Sequence, residues 1–216
     1  MICGHTASLS PFVVVYPEDA PPPSISLVAP QDGVSYLLNA AVVAAFSCSD
    51  TESGVQACSG TVPNGAPLDT SSIGPRSFSV TAVDNAGNAA SVTATYRTVD
   101  AFTGFLQPVD NLPTVNTVNA GRTVPVKWRL ADAAGTSVST LSSFVSMQSN
   151  TVNCDSAPSD TIPDSATSLS DESLQYDSTA DPFVYNWRTE KSWTNTCRQV
   201  RRTLADGSLR TAKFRF

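Results

Sequence analysis

Histidine is nearly absent from this chain of 216 residues, and that one shortage removes several kinds of chemistry together. The single copy is His5, close to the start. A nucleophilic triad needs a histidine held between two partners, and no G-x-S-x-G elbow is present to expose a serine. Zinc asks for four Cys or His ligands in close pairs, and a redox pair asks for C-x-x-C; neither spacing occurs. Phosphate-cradling glycine loops, dinucleotide fingerprints and EF-hand loops are missing as well, so no cofactor is expected. Charged residues make up only 15% of the chain and the net charge is -6, which argues against a nucleic-acid partner, since that requires a basic surface to release counterions. No apolar run approaches the ~18 residues of a membrane span, so membrane insertion is not expected either. The runs "PFVVVY" and "AAVVAAF" are strand-sized.

Strong helix formers are sparse too, while Ser, Thr, Val and Ala dominate, a composition of short strands joined by polar turns. The fold class is therefore all-β. Residues 1–16 read as the last strand of a preceding module, and 17–23, "PEDAPPP", as a semi-rigid extended linker. From 24 to 99 the alternation is repeatedly of period two. Phe78, Val80 and Ala82 share a face, the turn "NAGN" follows, and Val92, Ala94 and Tyr96 share a face on the return, which predicts a hairpin inside a small sandwich. Residues 100–216 form a second β unit. It carries Val124, Val126, Trp128 and Leu130 in phase, an irregular acidic loop over 148–182, and a closing hairpin about "ADGS" that buries Ala212, Phe214 and Phe216.

The charge is unevenly placed. Residues 151–187 hold seven acids and no Lys or Arg, and 188–216 hold eight basic residues against two acids. Either the acidic loop lies against the basic hairpin and neutralises it, or the hairpin is a docking strip for an acidic polymer.

Five cysteines are present. Cys48 and Cys58 lie ten positions apart, a spacing that fits a strand-loop-strand closed by a disulfide, with loop entropy of about 3 kcal/mol. Cys154 and Cys197 form the natural second pair, whose longer loop gives about 4 kcal/mol. Cys3 is left over, and its partner is expected in sequence upstream. The opening "MICGHTASLS" has neither a basic start nor an apolar core, so it is no secretory signal. Disulfides without such a signal imply that the natural chain starts earlier.

At residues 47–96, "SCSDTESGVQACSG…SFSVTAVDNAGNAASVTATY" resembles the Ig-like repeats of large secreted and surface proteins of bacteria. The stretch "GFLQPVDNLPTVNTVNAGRTVPVKWRL", with "YNWRTEKSWTNTCRQVRRTLADGSLRTAKFRF", resembles the PxKF domain, whose motif stands here as Pro125-Val126-Lys127-Trp128 with Trp in place of Phe. The resemblance implies an exported, modular bacterial protein, secreted or at the cell surface, with an Ig-like β-sandwich followed by a small PxKF β-domain. It implies no activity.

Three site expectations follow from the residues. Asp50, Glu52 and Asp84, with Asn85, could surround Ca²⁺ if their loops meet, although Asx residues serve turns for local reasons alone. Trp187, Trp193 and Tyr185 could form a ring platform for a polysaccharide or cell-wall polymer, or could fill a core. Lys127 alternates with an apolar face and so points outward, away from isopeptide chemistry. The leading functional expectation is a non-catalytic, disulfide-stabilised spacer or display module acting with upstream domains. A carbohydrate- or cell-wall-binding module is the alternative.

Overall fold

The computed structural model describes residues 21–157, 167–168 and 174–216. The expected first strand at 1–16, Cys3, most of the linker and part of the acidic loop lie outside these described residues.

The chain is all-β, two sandwiches in series. In the first, β1 (Ser24–Ala29) pairs with β3 (Ala45–Ser49) as a two-stranded sheet. It faces a four-stranded sheet in the order β2 (Val34–Leu37), β6 (Ala89–Val99), β5 (Gly74–Asp84) and β4 (Val55–Gly60). The β5–β6 hairpin runs in unbroken antiparallel register from Gly74↔Thr98 to Val83↔Ala89. Period-two alternation sends Phe78, Val80, Ala82, Ala94 and Tyr96 inward, against Phe46, Ala44 and Leu68. Val92 keeps the same phase but lies toward the turn end of the hairpin and stays exposed. Gly60 is needed where it stands, because a Cβ there would meet the Phe46 ring at 2.7 Å.

The second sandwich sets a five-stranded sheet against a four-stranded one. The first has the order β11 (Thr167–Ser168), β10 (Phe144–Val152), β14 (Cys197–Leu204), β15 (Leu209–Arg215), β8 (Val115–Thr117). The other has β12 (Leu174–Tyr176), β13 (Phe183–Arg188), β9 (Thr123–Trp128), β7 (Phe105–Leu106). Between them lies a core built around Trp128, Phe183, Tyr185, Trp187, Met147, Val200 and Phe214. The Pro-Val-Lys-Trp motif forms the end of β9, with Val126 and Trp128 fully buried and Lys127 on the other face, half exposed.

Two corrections arise. The acidic loop does not begin at 148: Gln148–Val152 belong to β10, a strand paired on both edges, with β14 along most of its length and with β11 at Gln148 and Ser149. Its Ser, Asn and Gln residues look like loop chemistry, yet cross-strand bonds accommodate them, as where Arg201 donates to the Gln148 side chain at 2.7 Å. Leu174–Tyr176 is likewise strand, at the edge of the other sheet. Nor is the closing hairpin a continuous basic strip. Arg202 and Lys213 are buried, and Arg198 lies over the Trp193 ring at 4.0 Å.

Candidate functional site

Each expected site residue has a definite place. Cys48 is bonded to Cys58, joining β3 of one sheet to β4, the edge strand of the facing sheet. The bond therefore staples the two layers of the first sandwich to each other. Cys154 is bonded to Cys197 and ties the segment leaving β10 to the start of β14. That tether holds carbonyl oxygens over the outer face of the five-stranded sheet. The Lys213 ammonium, buried on that face, donates to the carbonyls of Cys154 at 2.8 Å and Ser156 at 2.5 Å.

The loops carrying Asp50, Glu52 and Asp84 do meet, because Asn85 donates from its amide and side chain to the carbonyls of Gly54 and Ser53. The Asp50 and Asp84 oxygens serve the turns. Asp50 Oδ1 accepts from the backbone amides of Glu52, Ser53 and Gly54 at 3.1, 2.9 and 2.8 Å. Asp84 accepts from the Asn88 amide and side chain at 2.8 and 2.9 Å. Burial pushes the Asp84 carboxyl upward, but those Asn88 bonds and the turn amides outweigh it and hold it below the usual range. Among the described residues, no group of three or more His, Cys, Asp or Glu could hold a metal ion. The loops are Asx-capped turns.

The aromatic platform needs correction as well. Tyr185 and Trp187 are fully buried: they follow Phe183 in the inward phase of β13. Trp187 sits against Phe214 at 5.0 Å and Trp193 at 5.7 Å, and its plane is tilted 38° from that of Trp193. Only Trp193 is half exposed, with its face taken by Arg198. The three rings form a core edge and no flat row.

The most unusual chemistry lies where the two sandwiches join, at residues no motif singled out. Asp100 follows β6 directly, and its amide donates to Asp206 Oδ2 at 3.1 Å in the β14–β15 turn. Arg97 on β6 donates to the Asp206 carbonyl at 2.8 Å. Gly207 allows this approach, since a Cβ there would stand 2.6 Å from Arg97 Nη1. On the same seam Ala133 donates its amide to the Leu38 carbonyl at 2.8 Å, and Asn39 donates to Asp132 at 3.0 Å.

Beneath this contact Arg202 is fully buried, its guanidinium 4.3 Å from the Phe102 ring centre and 4.6 Å from Trp128. Among the described residues, none of its three nitrogens has a hydrogen-bond partner, and neither carboxylate oxygen of Asp100 has one. The rings offer the cation their negative faces, which replaces part of its lost hydration. Burial, more than the neighbouring Arg210, pulls the Arg202 guanidinium down to about 9, with Asp206 and Asp100 opposing the shift. Burial and then the Asp206 charge push the Asp100 carboxyl up to about 6, with Arg202 working against them. One sequence signal pointed here: Arg202 stands between Val200 and Leu204 in the inward phase of β14.

No family model matches the chain, the PxKF domain included, and no curated protein matches it. Solved structures do. The fibronectin(III)-like modules of Clostridium thermocellum CbhA match at 11% identity and a TM-score of 0.30, over 89% of this chain and 93% of that one. A chimeric titin Z1Z2 functionalized with a KLER exogenous peptide from decorin matches at 16% identity and 0.26, over 90% and 96%. Bacteroides ovatus SGBP-B in complex with a mixed-linkage heptasaccharide matches at 10% identity and 0.27, over 90% of this chain and 48% of that one. Scores this low support no inference about this chain. No helix among the described residues is long and apolar enough to cross a membrane.

Proposed function

We propose that the chain is a non-catalytic structural module of an exported protein: two β-sandwiches, each stapled by a disulfide, that hold a fixed angle and so position the domains attached to them. The observation that carries this reading is the seam. Backbone and side-chain hydrogen bonds link Arg97, Asp100, Leu38 and Asn39 of the first unit to Asp206, Ala133 and Asp132 of the second, with no linker between them. Two modules joined by a free linker would lack such bonds, and relative motion would be the default. The two disulfides support an oxidising location, secreted or at a cell surface, because thiols stay reduced in the cytosol. The Ig-like and PxKF resemblances agree with a tandem extracellular array, and the partners implied are neighbouring domains of the same protein.

A pull-down of the oxidised protein on insoluble polysaccharides and whole cell walls, at low and high salt, tests the reading. The expected result is no retention above that of an inert sandwich domain. Retention lost on Trp193→Ala would overturn it in favour of a binding module, since Trp193 is the ring of the three that reaches the surface.

A further inference from the structure

We propose that the seam between the two sandwiches is a proton-operated joint, in which ionisation of Asp100 loosens the packing of the Asp206 turn against the end of β6. The inference rests on the positioning reading above and adds a control to it. Asp100 is 3% exposed, and among the described residues no donor reaches either carboxylate oxygen. The charged groups of the seam lie on β6, β14 and β15, in the turn between the last two, and at Asp132, which accepts from Asn39. Asp206, in the turn, turns Oδ2 toward the Asp100 amide and carries charge of the same sign. Arg202 on β14 has the opposite sign but is held against aromatic rings with no hydrogen bond to either acid. Arg210 on β15 stands 5.2 Å from the centre of the same Phe102 ring. Arg97 on β6 has its Nη1 committed to the Asp206 carbonyl.

In the closed seam a protonated Asp100 is a neutral group with a modest desolvation cost. Its anion is buried beside another carboxylate and lacks any direct donor. Opening the seam hydrates it. The sign follows from the raised value: the Asp100 carboxyl titrates at about 6 in the closed seam and at about 4 once exposed. The closed state therefore binds more protons between these values. Its advantage is complete below about pH 4 and is lost as pH rises through 6, a change of at most about a hundredfold in the closing equilibrium. The joint is tight in acid and looser at neutral pH.

Amide hydrogen exchange on the full chain, corrected for intrinsic rates, reads this directly at the Asp100 and Ala133 amides, both of which donate across the seam. Between pH 4.5 and 7.5 their protection should fall tenfold or more, and in Asp100→Asn it should stay high and flat. Carbon-13 titration of the Asp100 carboxyl in the unaltered protein gives a check that needs no variant, with an expected midpoint near 6. A midpoint near 4, or protection with the same pH profile in both proteins, overturns the joint. If protection is high at every pH in both, only the proton control fails and the fixed-angle reading stands. If protection is absent at every pH in both, the fixed-angle reading itself fails.

Discussion

Replacing Trp128 by alanine should cost about 3–5 kcal/mol, the range for truncating a buried aromatic. The ring is fully buried, stacks on Phe183 at 5.6 Å with an 11° interplanar angle, and lies 6.0 Å from Phe144. Its removal opens a cavity where the two sheets of the second sandwich meet. It also strips Arg202 of one aromatic face, leaving a buried cation with even less to replace its hydration. Trp128→Phe keeps an aromatic platform and should lose much less. Urea unfolding measures both, as midpoints at unchanged slope. A Trp128→Ala midpoint close to that of the parent would mean that the ring does not support the core in this way.

The second large effect is expected on removing the Cys154–Cys197 bond. With the cysteines 43 positions apart, the loop-entropy contribution is about 4 kcal/mol, against about 3 kcal/mol for Cys48–Cys58. A further loss follows from geometry. The bond holds the carbonyls of Cys154 and Ser156 over the buried Lys213 ammonium, and releasing that segment leaves a charge on a covered face without its acceptors. The double replacement Cys154→Ser with Cys197→Ser should therefore destabilise more than the equivalent change at 48 and 58. Adding Lys213→Met should restore part of the difference, a coupling that a double-mutant cycle isolates. Equal losses at the two bonds, with no coupling to Lys213, would show that chain entropy alone is at work.

Much of the fold was legible because its signals are local. The β5–β6 hairpin combines strict alternation with an Asn-Ala-Gly-Asn turn, and both partners lie within one stretch of chain. The Cys48–Cys58 pairing followed from strand-loop-strand spacing, and Cys154–Cys197 was the natural second pair. What escaped depends on distant partners. β2 lies parallel to β6 and β8 parallel to β15, pairings that no local turn specifies. The later half of β10 reads as loop because Gln148, Ser149 and Asn150 are polar, but β14 along one edge, with β11 against Gln148 and Ser149 on the other, makes it strand. For Trp187 the sequence offered a surface ring or a core residue, and the core holds. Phe183, Tyr185 and Trp187 alternate in one phase, which is the pattern of a buried face. The seam was the least legible part. Apart from the inward phase of Arg202, nothing in the sequence marks Asp100, Arg202 or Asp206, and only the docking of the β14–β15 turn on the end of β6 brings them together.

That docking is the central claim, and a distance between the two sandwiches tests it most directly. Spin labels at Ser59 and Thr151, exposed positions in the first and second units, report the angle between them by pulsed electron resonance. At pH 5 the account predicts one narrow distance distribution, as for two points on a single rigid body. A broad distribution at that pH, of the width expected for modules on a free linker, would contradict it.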